Sequence, residues 1–375
     1  MMTGWFRRAR QTLSTVKNRE EAQRQQRRAA CAAYRTLGVL QLAAQLMLWV
    51  TLYAYDRLVQ TTWQAALLLA LPLAGLWALW RGGEDALATR NGARLTLLLL
   101  PCLMLDAAVL LRTLGGYINQ LIPEYPLWAC TVVPAALCWL TVLLSRENGA
   151  AYGASLFRFL LLGLFLLATV FLNTNAHPVR LWPLLGQGPG RTAAEALAGA
   201  GSGWGVALLF ALPLHSQRKE RVQSAGERTA GRAALWTALP WLMCVIWALW
   251  YAMARPWRSG DMLEVGERLM GLARHSRSPL LYECGGLMWM LLLPLALTGC
   301  AVSGEKLLRS TLPRVPRSVA ALLPLLPGAA AALIWPDDLL GALGWALPWR
   351  ALISAAAGGA LWALSARKGR EAHAG

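Results

Sequence analysis

Long apolar stretches separated by short polar connections dominate the chain after residue 35. A transmembrane helix needs roughly 20 mainly apolar residues, or fewer where the helix is broken. Nine stretches approach or reach this length. They are Thr36 to Tyr55, Thr62 to Trp80, Leu95 to Leu111, Leu127 to Leu144, Phe159 to Leu172, Ala233 to Ala254, Leu280 to Cys300, Val319 to Trp335 and Ala351 to Leu364. The pattern predicts an all-α integral membrane protein.

A tenth apolar stretch, Trp204 to Leu214, is short and follows glycine-rich residues 199–205. Between two long spans, this arrangement is typical of a discontinuous helix. A break in mid-membrane exposes backbone N–H groups at the positive end of a helix dipole, where a carboxylate can bind. Ser202, Gly203 and Gly205 are therefore candidate contacts for the carboxylate of an amino acid. A loop ahead of a shorter helix is the alternative that the sequence leaves open.

The positions of the basic residues test the count of ten spans, because Lys and Arg collect on the cytoplasmic side. With the amino terminus inside, 26 of the 36 Lys and Arg residues fall on the inner side. The count supports ten spans with both termini in the cytoplasm. We expect a basic cytoplasmic tail over 1–35, a membrane domain over 36–366 and a second cytoplasmic tail over 367–375. We therefore attribute the net charge of +17 to basic loops that orient the helices and contact anionic lipid headgroups. No nucleic-acid partner is expected.

The composition and motifs exclude several other functions. With 57% hydrophobic and 15% charged residues, the chain is not an ordinary water-soluble globule. The seven cysteines form no Cys-x-x-Cys pair and have no His at metal-ligand spacing, so we expect neither disulfides nor a metal. No nucleotide-binding loop, Ser-His-Asp set or zincin motif is present, so we expect no cofactor and no enzyme.

Four polar side chains within the predicted spans are candidate substrate contacts. Asp106 is the only acid well inside a span, where it could bind an ammonium group, a coupling cation or a proton. A structural ion pair, for example with Arg112, is the alternative. Gln41 and Gln45 share one helix face and could contact substrate or hydrogen-bond a neighbouring helix. Glu283 lies near the outer end of the eighth span, where it could instead reach the interface.

An enzyme remains one alternative hypothesis. The long predicted outer loop between Arg255 and Arg277 carries Asp261, Glu264 and His275, which could supply the acid and base of a transferase acting on a lipid-linked substrate. The sequence does not hold these side chains in a common geometry. An ordinary solvated loop accounts for them much better, so we predict that the chain is not an enzyme.

The order of short motifs in the middle of the chain resembles the spore germination permeases, the B subunits of nutrient germinant receptors. The motifs are Pro123-Glu-Tyr-Pro-Leu127, Arg146-Glu-Asn-Gly149, Phe157-Arg158, Asn173-Thr-Asn175, Leu181-Trp-Pro-Leu-Leu-Gly-Gln-Gly188 and Leu212-Pro213-Leu214. In that family a Gly and then an Arg precede the fifth span, and an Asn-rich loop with a Leu-x-Pro element follows it. The more specific part of the resemblance spans about seventy residues.

The resemblance implies the fold of the amino acid, polyamine and organocation transporters. That fold has ten spans in two inverted five-helix repeats, with discontinuous helices 1 and 6 around the substrate. It also implies a small nutrient ligand such as an amino acid between helices 1, 3, 6 and 8. The partners implied are receptor A and C subunits in the inner membrane of a spore. One departure concerns helix 1, because Gly38 stands alone where the superfamily usually has two glycines or a Gly and a Pro.

Two functional hypotheses follow. The first is a permease-like subunit of a germinant receptor, which binds a nutrient and couples binding to germination. The second is a proton- or cation-coupled amino acid secondary transporter that uses Asp106 as its coupling group. Solute flux across a membrane distinguishes the two.

Overall fold

The computed structural model describes fourteen separate parts of the chain, and every regular element in them is helical. The described residues are 21, 25, 29–30, 32–53, 59–83, 86, 89–145, 149–172, 177–182, 184, 188–203, 228–254, 279–334 and 339–374, with 84–85 and 87–88 among the gaps. We number ten helices in chain order.

The first five helices lie between residues 32 and 172. They are α1 (32–48, then a π-helical turn Trp49–Tyr53), α2 (Val59–Leu68 and Ala70–Gly82), α3 (Arg90–Thr96, a 3-10 turn Leu97–Leu99, and Leu100–Leu121), α4 (Leu127–Leu144) and α5 (Gly149–Leu172). The irregular part of α1 is thus its last turn, and 32–48 is uninterrupted. This agrees with the lack of Gly or Pro after Gly38.

The second five helices lie between residues 189 and 374. They are α6 (Pro189–Ala200, then a 3-10 turn Gly201–Gly203), α7 (Arg228–Ala254), α8 (Pro279–Thr311), α9 (Arg317–Leu322 and Leu325–Ile334) and α10 (Leu339–Ala374). A short 3-10 helix, Pro178–Leu181, precedes α6.

Nine of these helices coincide with the nine predicted spans wherever the structure describes them, since Tyr55 and Trp335 lie outside the described residues, and several helices extend well beyond the predicted spans. Helix α3 continues past Leu111 to Leu121, α8 continues past Cys300 to Thr311, and α10 begins at Leu339, before the predicted start at Ala351. Hydropathy marks only the residues that suit the hydrocarbon core, whereas helical hydrogen bonding continues into the polar interface. In the described part of the chain, six helices are long and apolar enough to cross a membrane, and Ala238–Met253 is a shorter apolar helix.

Helix α6 lies before the glycine-rich residues. The sequence analysis assigned no helix to Pro189–Ala200, which is helical in the structure. Gly188 has a φ of 88° and Pro189 occupies the first helical turn. Proline suits this position because the first N–H groups of a helix have no partner within the helix, so no hydrogen bond is lost. The glycine-rich stretch ends α6 by changing the helix to a 3-10 turn at Gly201. The predicted short span, Trp204 to Leu214, lies outside the described residues.

The helix contacts repeat between the two halves of the molecule. Helix α3 of the first half packs against α9, and its equivalent α8 packs against α4. Helix α3 also packs against α4, as α8 packs against α9. Likewise α2 contacts α6 and α10, and α7 contacts the end of α1 and α5. Exchanging each helix of the first half with its equivalent in the second reproduces the pattern. The fold is therefore ten transmembrane helices in a 5+5 inverted repeat, as predicted.

Helix α1 lies at the centre of this arrangement. Its apolar residues Leu37, Ala43, Leu46 and Met47 have no exposed surface. In contrast, α4 and α5 keep apolar faces exposed, as expected of helices in contact with lipid. Since apolar burial supplies little driving force within a bilayer, close packing and polar contacts hold such helices together.

Candidate functional site

A buried ion pair joins two helices near the middle of the bundle. The Arg350 guanidinium of α10 donates from Nη2 to Oδ1 of Asp106 on α3. Asp106 is 4% exposed and Arg350 is 3% exposed. Asp106 was singled out from the sequence, whereas Arg350 directly precedes the predicted span Ala351 to Leu364 and was not. The structure places Arg350 within a helix because α10 begins at Leu339 and continues through Pro348.

The ion pair compensates two charges that would be costly alone in the membrane. Removing one partner of a buried pair costs about 3–5 kcal/mol, because the other charge is left without compensation. The pair therefore ties α10 to α3. An ion pair was one of the two roles considered for Asp106, and the structure shows one. Asp106 also lies on α3, one of the helices expected to surround a substrate.

Gln41 extends the polar region from α1 to α8. Its Nε2 donates to the Cys300 Sγ across 3.5 Å, and the residue is completely buried. The Gln41 amide lies against the backbone at Gly299, where an added Cβ would be 2.6 Å from Oε1. Glycine at position 299 thus permits the close approach of α1 and α8 that brings Gln41 to Cys300.

Gln45 lies one turn further along α1 and is 6% exposed. Neither its Nε2 nor its Oε1 has a hydrogen-bond partner within the described part of the chain. A buried polar group without a partner costs about 1–3 kcal/mol. Such a side chain is a candidate for contact with a bound solute.

Cys300 connects Gln41 to the neighbourhood of the ion pair. Its sulfur accepts the Gln41 hydrogen bond, and Asp106 and Arg350 are its charged neighbours, as they are for Cys102 one turn before Asp106. We define the central polar cluster as Gln41, Gln45, Cys300, Asp106 and Arg350, which come from α1, α8, α3 and α10. Sequence reasoning missed Cys300, because a cysteine in an apolar stretch is usually a small hydrophobic residue.

The turn that ends α6 lies beside the part of α10 that carries Arg350. An added Cβ on Gly201 would be 3.3 Å from the backbone nitrogen of Ala351, the residue after Arg350. Ser202 in the same turn is 4% exposed. Ser202 and Gly203 are thus in a 3-10 turn next to the cluster. Gly205 lies outside the described residues.

Glu283 does not belong to the central polar cluster. It is in α8 seventeen residues before Cys300, which corresponds to about 25 Å along a helix. The side chain of Glu283 is outside the described part of the structure. The alternative enzymatic residues Asp261, Glu264 and His275 also lie outside it.

The described residues offer no group of three or more His, Cys, Asp or Glu side chains that could hold a metal ion. The donors of the central polar cluster are two amides, one thiol, one carboxylate and one guanidinium. This set suits an organic solute with a carboxylate better than a divalent cation, because the positive charge of Arg350 would repel the cation.

The chain is similar in structure to a manganese transporter from Eremococcus coleocola. Two crystal structures of variants of that protein align with TM-scores of 0.56 and 0.55, at 15% and 16% identity, over 87% of this chain and 77% of theirs. The transporter in complex with an aromatic bis-isothiourea substituted compound aligns with a TM-score of 0.50 over 86% and 76%. No protein-family model and no curated protein matches the chain.

The similarity shows the fold and agrees with the repeated helix contacts. The chain is a multi-pass membrane protein that shares the fold of that transporter. At 15–16% identity the alignment carries no information on the solute.

Proposed function

We propose that the protein is a secondary-transporter-like permease that binds a small organic solute, such as an amino acid, at the central polar cluster. The observation that carries the proposal is the buried Asp106–Arg350 pair within a transporter fold. Intramembrane charges in such folds mark solute and ion pathways. The unsatisfied amide of Gln45 supports the same location.

The carboxylate of the solute replaces Asp106 as the partner of Arg350. A guanidinium binds a carboxylate through two parallel N–H bonds, and such charge-assisted bonds are about twice as strong as neutral ones. The backbone N–H groups near Ser202 lie beside this part of α10 and provide further donors. The amide oxygen of Gln45 accepts a hydrogen bond from the ammonium group.

Protonation of Asp106 couples this exchange to a proton. A neutral Asp106 no longer compensates Arg350, so Arg350 becomes available to the solute carboxylate without leaving a second buried anion unpaired. The solute and the proton therefore enter the site together. When both leave, the ion pair forms again and reconnects α3 with α10.

A proteoliposome assay tests this proposal. Uptake of a labelled amino acid mixture is measured with and without an imposed proton gradient. We expect the gradient to accelerate uptake into wild-type vesicles, and Asp106→Asn to abolish that acceleration. If no labelled amino acid enters under either condition, transport of amino acids is excluded.

A nutrient germinant receptor subunit is the second candidate. The order of motifs between Arg146 and Leu214 supports it, and so does the uninterrupted α1 over 32–48, because a binding subunit needs no mobile half-helix. The subunit would bind its nutrient with the A and C subunits in the inner membrane of a spore. Binding without flux, together with co-purification of both partners, would favour this candidate. The transporter fold supports the first candidate more directly.

We also propose that both termini are cytoplasmic. Basic residues gather at the end of the bundle where α1 begins, since the Lys306 Nζ lies 3.2 Å from the centre of the Tyr34 ring. At the end of α8, Glu305 binds both Arg309 and Arg317. A basic end is typical of the cytoplasmic side. A single cysteine introduced near residue 370 in a cysteine-free variant should be inaccessible to an impermeant thiol reagent in intact cells.

A further inference from the structure

A cavity lies between α1, α5, α7 and α8, and none of the central polar cluster residues lines it. Its volume is about 460 Å³, within the range of roughly 300–1,000 Å³ that is usual for ligand sites. Apolar side chains supply nearly all of the lining, and Thr36 and Arg158 are its polar members. The Thr36 hydroxyl already donates to the Ala32 carbonyl at 3.0 Å, so Arg158 is the group left to bind a polar ligand.

Arg158 is at the mouth of the cavity. Its guanidinium carbon lies 4.4 Å from the centre of the Phe159 ring, and that ring is 69% exposed. The Arg158 Nε is buried and has no hydrogen-bond partner among the described residues, and no acid in that part of the chain pairs with it. The charge is therefore available to an anion that approaches from outside.

The mouth of the cavity opens toward lipid. Phe159, Leu162 and Leu239 are exposed at its rim, whereas Leu161 and Met288 form part of its floor and are almost completely buried. The outer face of α5 around the rim is apolar, with Leu156 and Leu166 more than half exposed. A lipid chain can enter this cavity directly from the bilayer.

We propose that the Arg158 cavity binds an acyl chain of an anionic phospholipid, with the lipid phosphate on Arg158. The apolar floor matches the chain, and the guanidinium at the mouth matches the phosphate in both charge and geometry. Arg158 lies about 14 Å along α5 from Gly149 and directly precedes the apolar stretch Phe159 to Leu172, so its long side chain can extend to the headgroup level. The lipid then packs between α5 and α7 and contacts α1, the helix that carries Gln41 and Gln45.

Lipid retention tests the proposal. The full chain is equilibrated in nanodiscs of phosphatidylcholine containing one tenth phosphatidylglycerol, extracted into mild detergent, and analysed by native mass spectrometry. We expect wild type to retain phosphatidylglycerol preferentially, and Arg158→Gln to reduce that retention about tenfold, the effect of one lost charge-assisted contact. Arg94→Gln is the matched control, because Arg94 is an exposed arginine on α3. It should retain lipid as wild type does.

A second pair of variants keeps the charge and changes the cavity. Leu239→Trp fills the rim and should reduce retention, whereas Leu166→Trp lies on exposed α5 surface outside the cavity lining and should not. Equal retention of phosphatidylcholine and phosphatidylglycerol by wild type would overturn the proposal. So would unchanged retention in Arg158→Gln or Leu239→Trp. Displacement of the lipid by a free amino acid mixture would instead place the cavity on the solute pathway.

Discussion

Arg350 and Arg158 are both arginines of membrane-spanning helices, but their surroundings differ. Arg350 is buried at the centre of the bundle and paired with Asp106, whereas Arg158 lies at a lipid-facing mouth over the Phe159 ring. The first charge is held by protein and must be released before it can bind anything else. The second is already available. The comparison shows that the partner and the surrounding dielectric decide what an intramembrane arginine does.

The largest expected effect is a difference in protein stability between variants of these two arginines. Arg350→Ala leaves Asp106 as a buried charge and should destabilise the protein by about 3–5 kcal/mol. Arg158→Ala removes no ion pair within the described part of the chain and should change stability by less than about 1 kcal/mol. Thermal unfolding of both variants in the same detergent measures the difference. Equal losses would show that the Asp106–Arg350 pair does not stabilise the fold.

The double variant Asp106→Asn with Arg350→Gln sharpens this comparison. It removes both charges and keeps amide groups that can hydrogen-bond, so most of the stability lost in Arg350→Ala should return. The same double variant should not respond to a proton gradient in the uptake assay. Recovered stability together with retained proton coupling would contradict the proposed role of Asp106.

A smaller effect is expected at the contact of α1 with α8. Gly299→Ala places a Cβ 2.6 Å from the Gln41 Oε1 and should cost about 1–3 kcal/mol through overpacking. Gly75→Ala is the matched control, because nothing lies within 4 Å of its added Cβ. That change should be neutral, or stabilising by up to about 1 kcal/mol from helix propensity. If both substitutions behaved alike in thermal unfolding, the close packing at Gly299 would be disproved.

Gln45→Met separates binding from stability within the central polar cluster. The substitution keeps the side-chain length and removes a buried amide that lacks partners, so we expect stability to rise by about 1 kcal/mol. Binding should weaken at the same time. The stabilising thermal shift that amino acids produce in wild type, which follows from their binding to the folded state, should become smaller. A loss of stability would mean that Gln45 already has good partners.

The smallest effect is expected at the ion pairs that join the ends of α8 and α9. Glu305 binds Arg317 at 3.0 Å and Arg309 at 3.2 Å; its own side chain is buried, whereas those of Arg317 and Arg309 are 26% and 44% exposed. Glu305→Gln should cost about 1 kcal/mol, because both arginines reach solvent and the amide can still accept their hydrogen bonds. Thermal unfolding at low and high salt should show this loss shrinking as salt rises. A loss comparable to that of Arg350→Ala would refute the contrast between exposed and central ion pairs.

Much of the fold could be predicted because a bilayer imposes a simple rule. Every spanning helix needs a long apolar stretch, and the nine longest stretches coincide with nine helices. Helix α6 escaped this rule, since Pro189–Ala200 carries Arg191 and Glu195 and is rich in alanine. Its helical character depends on packing against α2 and α10, which hydropathy does not report.

The candidate site was only partly predictable. Asp106, Gln41 and Gln45 stood out because polar side chains are costly within a span. Arg350 did not, because Pro348 and Trp349 before it are typical of a span's end. Cys300 had no distinguishing feature within its apolar stretch.

By itself, the sequence determined that this protein is a helical membrane protein, approximately where its helices lie, and which acid is inside a span. These properties depend on local composition and on the solvent that surrounds each segment. The tertiary structure alone decided that Asp106 meets Arg350, 244 residues later, and that Arg158 faces a lipid-open cavity. Such contacts depend on which helices of the two repeats pack together, and no periodicity along the chain contains that information.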